Sequence, residues 1–65
     1  MPLKDVLAEA RRAHTFSLIV RSDGNVAAMA RAEGTTRWAI HQRIRACGLR
    51  AVLDMTREEA RRGES

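Results

Sequence analysis

The stretch Gly24-Asn25-Val26-Ala27-Ala28-Met29-Ala30-Arg31-Ala32-Glu33-Gly34-Thr35-Thr36-Arg37-Trp38-Ala39-Ile40-His41-Gln42-Arg43-Ile44-Arg45-Ala46-Cys47-Gly48-Leu49 decides the fold. Asn25 is a good helix N-cap, because its side-chain oxygen can accept from an orphan amide of the first turn. Val26, Met29, Ala30 and Glu33 follow at helical spacing, and the helix ends at Gly34. Gly34 reads as the left-handed residue of a tight turn, a conformation glycine enters without a Cβ clash. Thr35 and Thr36 compete as cap of the next helix. Ile40, Ile44 and Cys47 form its apolar stripe, and Gly48 closes it as a C-cap.

The order of residue types is more specific than two loose helices. Counted from Val26, a small residue is fifth (Ala30), a glycine ninth (Gly34) and a branched apolar residue fifteenth (Ile40). Helices crossing at about 90–120° need a slim contact point, a short reversal and a large side chain pinning the second helix. Residues 25–48 are therefore read as a helix-turn-helix. A plain helical hairpin with no nucleic-acid role is the alternative.

With Ile40 and Ile44 inward, Arg37, His41 and Arg45 lie on much of the opposite side of the second helix, with Thr36, Gln42 and Arg43 near its margins. Arginine can grip guanine O6 and N7 with two hydrogen bonds, and glutamine can pair with adenine. Thr36 and the free amides beside it can take a phosphate. Arg37 is assigned to a base edge or a nearby phosphate, Arg43 and Arg45 chiefly to phosphates. Ordinary solvated charge is the alternative for each arginine. The charge distribution agrees: residues 35–50 hold four arginines and no acid, whereas residues 1–34 sum to +1 and residues 51–65 to −1. Such a localised basic patch is the footprint of a nucleic-acid contact, although an anionic membrane surface would also accept it.

Residues 24–49 resemble the DNA-binding unit of the Fis family, which also closes the NtrC-type bacterial enhancer-binding activators. The features carrying the resemblance are the Gly24–Asn25 start, Ala30, the corner Gly34, Arg37, the anchors Ile40 and Ile44, the basic Arg43 and Arg45, and the closing Gly48–Leu49. Val6-Leu7-Ala8-Glu9 resembles a run in the family's dimerisation helix. The likeness thus spans residues 5–49, about 70% of the chain. It implies a bacterial, cytoplasmic and nucleoid-associated homodimer, with two recognition helices entering successive major grooves of bent double-stranded DNA. It places the reader on Arg37, with Asn25, Thr36, His41, Gln42, Arg43 and Arg45 as neighbours or backbone contacts. Thr35, Ala39 and His41 depart from the branched apolar, threonine and basic residues usual at those positions. Less backbone charge implies weaker or differently specific binding. Trp38 replaces what is often a small residue. It is read as packing on the first helix, with a sugar edge or a protein partner as alternatives.

Upstream, Leu3, Val6, Leu7, Ala10, Ala13 and Ser17 recur at helical spacing before Leu18, Ile19 and Val20, predicting a helix over residues 4–21. Phe16, Ile19 and Val20 widen its apolar surface beyond the roughly 100° that one packing partner needs. Two readings follow: both faces pack within one bundle, or the helix is shared between two copies, with Ala10 and Ala13 allowing a close crossing. We favour the second, since symmetric association is the common route to a second copy. Downstream, residues 50–65 form an extension outside the family pattern. Thr56 and Glu59 fit a capping box for a short helix over residues 57–62, and Gly63 to Ser65 are expected to fray. Val52, Leu53 and Met55 need cover, either from the body or from another protein.

Sixty-five residues make one small all-α unit at most. Eleven of the 29 apolar residues are alanines, and a chain this short buries only about 60% of its unfolded surface, so the core is marginal and argues for a partner. Cys47 is the single cysteine, read as a small core residue. No apolar run suits a membrane span or a signal peptide. His14, His41 and Cys47 lack metal spacing, and no nucleophile, base and orienting group converge, so neither cofactor nor catalysis is expected. His14 is read as facing a neighbour or solvent.

Two function classes remain. One is a homodimeric DNA-binding protein regulating transcription or shaping DNA, either a whole small regulator or the C-terminal piece of a larger activator. Its half-sites would lie one helical turn, about 34 Å, apart unless the DNA bends. The other is a helical interaction or dimerisation module that meets a larger regulator through Trp38 or residues 52–62. RNA is less attractive, because the deep, narrow groove of its A-form helix excludes such a helix.

Overall fold

The computed structural model describes residues 2–63, all of whose regular elements are helices. They run α1 (Leu3–Arg21), α2 (Val26–Glu33), α3 (Arg37–Ala46) and α4 (Arg50–Gly63). The all-α expectation therefore holds, with a long first helix followed by shorter ones. The last two residues of the extension lie outside the described residues.

Pro2 precedes α1 with φ −64°, where the absence of an amide proton costs nothing because the first turn has no acceptor for it. Only Thr15, Leu18 and Ile19 of α1 are buried, all in its last two turns. The Thr15 hydroxyl donates to the Arg11 carbonyl at 2.8 Å, which removes the cost of burying it. Leu3, Val6, Leu7, Phe16 and Val20 are all exposed. Packing on both faces within a single copy is thus not how this helix is used. The chain measures 46 × 22 × 16 Å, and its radius of gyration of 12.5 Å exceeds the roughly 11 Å of a compact chain this long.

At the first corner Asp23 (φ 53°) and Gly24 (φ 75°) both adopt left-handed backbone. The Gly24 amide donates to the Ile19 carbonyl at 3.0 Å, and the Asn25 amide to the Ser22 carbonyl at 2.9 Å. Gly24 is buried against α4: a Cβ there would lie 2.6 Å from Arg57 Cγ and 3.2 Å from its backbone nitrogen. Asn25 caps α2 as expected, its side chain accepting from the Ala28 amide at 3.1 Å. Gly34 ends α2 with φ 65°, and the Thr35 amide returns to the Ala30 carbonyl at 2.9 Å. Of the two competing threonines, Thr36 is the cap of α3, accepting from the Ala39 amide at 3.1 Å.

The core joins Leu18 and Ile19 of α1, Val26, Met29 and Ala30 of α2, Ile40 and Ile44 of α3, and Leu49 and Leu53, with Cys47 and Val52 packed against it. The slim Ala30 and the two isoleucine anchors are buried where the spacing required. At the far end of α3, Arg12 Nη1 donates to the Cys47 carbonyl at 3.2 Å, placing a cation on the negative helix terminus.

Two expectations are corrected. The extension is not a short helix over 57–62. α4 spans 14 residues from Arg50, so Thr56 lies inside it and caps nothing. The left-handed Gly48 turns the chain at once, the Leu53 amide donates to the Leu49 carbonyl at 3.0 Å, and the fully buried Leu53 anchors the new helix to the core. Of its apolar residues Leu53 is buried and Val52 half-buried, but Met55 is 68% exposed. Trp38, expected to pack on α1, is 70% exposed. It follows Thr36 and precedes Ile40 by two residues, which on an α-helix places it nearly opposite the buried stripe.

Candidate nucleic-acid interface

The outward side of α3 is built by elimination. Ile40 and Ile44 occupy the inner stripe, so Arg37, Trp38, His41, Gln42 and Arg45 are all left exposed. The turn at Gly34 and the Thr36 cap start the helix at Arg37, which sits in its first turn beside amides with no helical acceptor. Arg37 and Arg45 form no ion pair or side-chain hydrogen bond within the described residues. Their guanidinium groups are consequently available to an external acceptor.

Arg43 is placed differently. Its Nη1 donates to Glu33 Oε1 at 2.7 Å, and its side chain is only 31% exposed. The same carboxylate oxygen lies 2.9 Å from His14 Nε2 of α1. Hydrogen bonding to His14, then to Arg43, holds the Glu33 carboxyl below the usual glutamate range. One acid at the end of α2 thus joins α1 and α3, and the positive charge of Arg43 is partly spent inside the protein.

A cleft of about 690 Å³ opens along the other edge of α3. It is lined by Asp23, Asn25 and the first turn of α2, by Arg37 and His41 of α3, and by Arg57 and Arg61 of α4. The structure thus brings Asn25, Arg37 and His41 together in one concavity, leaves Gln42 and Arg45 outside it on the exposed side of α3, and turns Arg43 towards Glu33. Reading charge along the chain misses Arg57 and Arg61, because residues 51–65 sum to −1. Their four-residue separation is the one sequence signal that could have found them, once the helix is known to start at Arg50.

An apolar groove adjoins this cleft and shares Asp23 and Ala60 with it. Phe16 and Val20 of α1 face Val52 and Met55 of α4 across a shallow groove bordered by Asp23 and Glu59. Among the described residues no three histidine, cysteine or acidic side chains are grouped as a metal site would require, and no helix is long and apolar enough to cross a membrane. No family model, curated protein or solved structure matches this chain.

Proposed function

We propose that the chain is a homodimeric DNA-binding protein that sets α3 of each copy into the major groove, regulating transcription or shaping DNA. One observation carries this reading: Arg37 and Arg45 stand exposed and unpaired on a helix whose Ile40 and Ile44 are locked into the core. Arg37 reads a base edge, with His41 and Gln42 beside it, while Asn25, Thr36 and Arg45 hold the phosphate backbone. Arg43 contributes the charge left over from Glu33. The resemblance of residues 5–49 to the Fis family supports the same assignment.

The second copy covers α1. Leu3, Val6, Ala10, Ala13, Ser17 and Val20 alternate at three- and four-residue steps, the spacing of a coiled-coil seam, and none of them is buried. Two such helices crossing antiparallel at Ala10 and Ala13 bring Leu3 and Leu7 of one copy against Val20 and Phe16 of the other. The large side chains then meet at the ends and the small ones in the middle.

The test is an anisotropy titration of duplex DNA across salt concentrations, for the natural chain and for Arg37→Ala and Arg45→Ala. Affinity falls steeply with salt if phosphates are contacted. Arg37→Ala should lower affinity for a selected duplex by about 1–3 kcal/mol and relax its sequence preference, whereas Arg45→Ala weakens all duplexes alike. Absence of duplex binding at low salt refutes the assignment.

The exposure of Trp38 and Met55 favours a second reading, an interaction module without DNA contact. Charge reversal by Arg37→Glu with Arg45→Glu separates the two, abolishing duplex binding but sparing capture of a protein partner. Arg43→Glu is unsuitable for this purpose, because it sets two acids against each other at Glu33.

A further inference from the structure

We propose that α4 is part of the DNA-contacting surface, with Arg57 and Arg61 seating a backbone phosphate in the cleft they share with Arg37; the inference rests on the DNA-binding reading above. Residues 51–65 sum to −1, but the charges of α4 are sorted by the helix. Arg62 lies 3.4 Å from Glu58 and 3.5 Å from Glu59, and Arg50 lies 3.6 Å from Asp54. Those pairs use every acid of α4 among the described residues.

Arg57 and Arg61, one turn apart, are left without an ion pair, and both line the cleft together with Arg37 and His41. Three unpaired arginines from two helices therefore line one opening, with Asp23 the one acid in its lining. Like charges gathered at one opening repel each other, and an anion between them relieves that repulsion. A phosphodiester suits the guanidinium fork. Gly24 fixes the placement, since its missing Cβ lets α4 approach until Arg57 Cγ occupies that space. The cleft lies along the edge of α3 that carries Arg37, so a duplex meeting Arg37 presents its flanking strand to α4.

The experiment measures binding of a labelled mixed-sequence duplex of about 30 base pairs as a function of salt, long enough for two half-sites. The natural chain is compared with the Arg57→Gln/Arg61→Gln double variant, with Arg62→Gln and with Asp23→Asn, circular dichroism confirming that each remains helical. The double variant should bind about tenfold more weakly near physiological salt, with the slope of log affinity against log salt reduced by about 1–2, on selected and scrambled duplexes alike. Arg62→Gln removes one positive charge away from the cleft and should leave the slope within about 0.5 of the natural value. Asp23→Asn removes the opposing acid and should strengthen binding several-fold. If the natural chain binds DNA but the double variant keeps its slope, or loses no more than Arg62→Gln does, α4 is not a contact and this inference fails alone. If the natural chain binds no duplex, the inference falls together with the reading on which it rests.

Discussion

Glu33 Oε1 accepts from Arg43 Nη1 at 2.7 Å, which ties the last turn of α2 to the last turn of α3. The same oxygen meets His14 Nε2, so the bond also reaches α1. Helix α3 is held on its inner side by Ile40 and Ile44 and at one edge by charge, leaving its outer side open.

Acid should loosen this junction. The Glu33 carboxyl is held below the ordinary glutamate value by His14 and Arg43. Its contribution to stability is therefore complete above about pH 4.3, the unfolded value, and is lost as pH falls through the lower folded one. Thermal unfolding followed at a series of acidic pH values should show a shallower acid limb for Glu33→Gln than for the natural chain. Equal limbs would mean that the junction contributes nothing.

Gly24→Ala meets two obstacles at once. Its φ of 75° strains any residue with a Cβ, and that Cβ would press on Arg57. The variant should lose about 1–2 kcal/mol from the backbone alone, read by urea denaturation. Gly34→Ala, where an added Cβ meets nothing within 4 Å, should lose only that backbone part. Equal losses at the two sites would show that α4 yields freely.

The caps are testable by pairs of variants. Asn25→Ala and Thr36→Ala should each cost about 1 kcal/mol by removing an acceptor from the first turn. Thr35→Ala, which removes no cap, should cost clearly less in the same denaturation series.

Association should depend on the exposed face of α1. Leu7→Asp would bury a charge against Phe16 of the second copy, and sedimentation equilibrium should then report a monomer mass where the natural chain gives twice that mass. A natural chain that sediments as a monomer at high concentration would leave Leu3, Val6 and Leu7 without the cover assigned to them.

The elements legible in the sequence were those whose chemistry is local. Asn25 and Gly34 announce a helix start and a corner because capping and left-handed backbone depend on the residue itself. Ala30, Ile40 and Ile44 could be placed because helical periodicity carries them to one side. Trp38 is exposed rather than packed, and Thr56 lies inside α4 rather than capping it, because the positions of Ile40 and Leu53 override the local role each residue suggests.

By itself the sequence determined that two short helices meet at Gly34 with an arginine-bearing side turned outward, because caps, turns and periodicity act within a few residues along the chain. Only the tertiary structure decided that Arg43 is tied to Glu33 while Arg57 and Arg61 stand free beside Arg37. Coulombic pairing acts through space, and distances between side chains on different helices exist only once the core has brought those helices together.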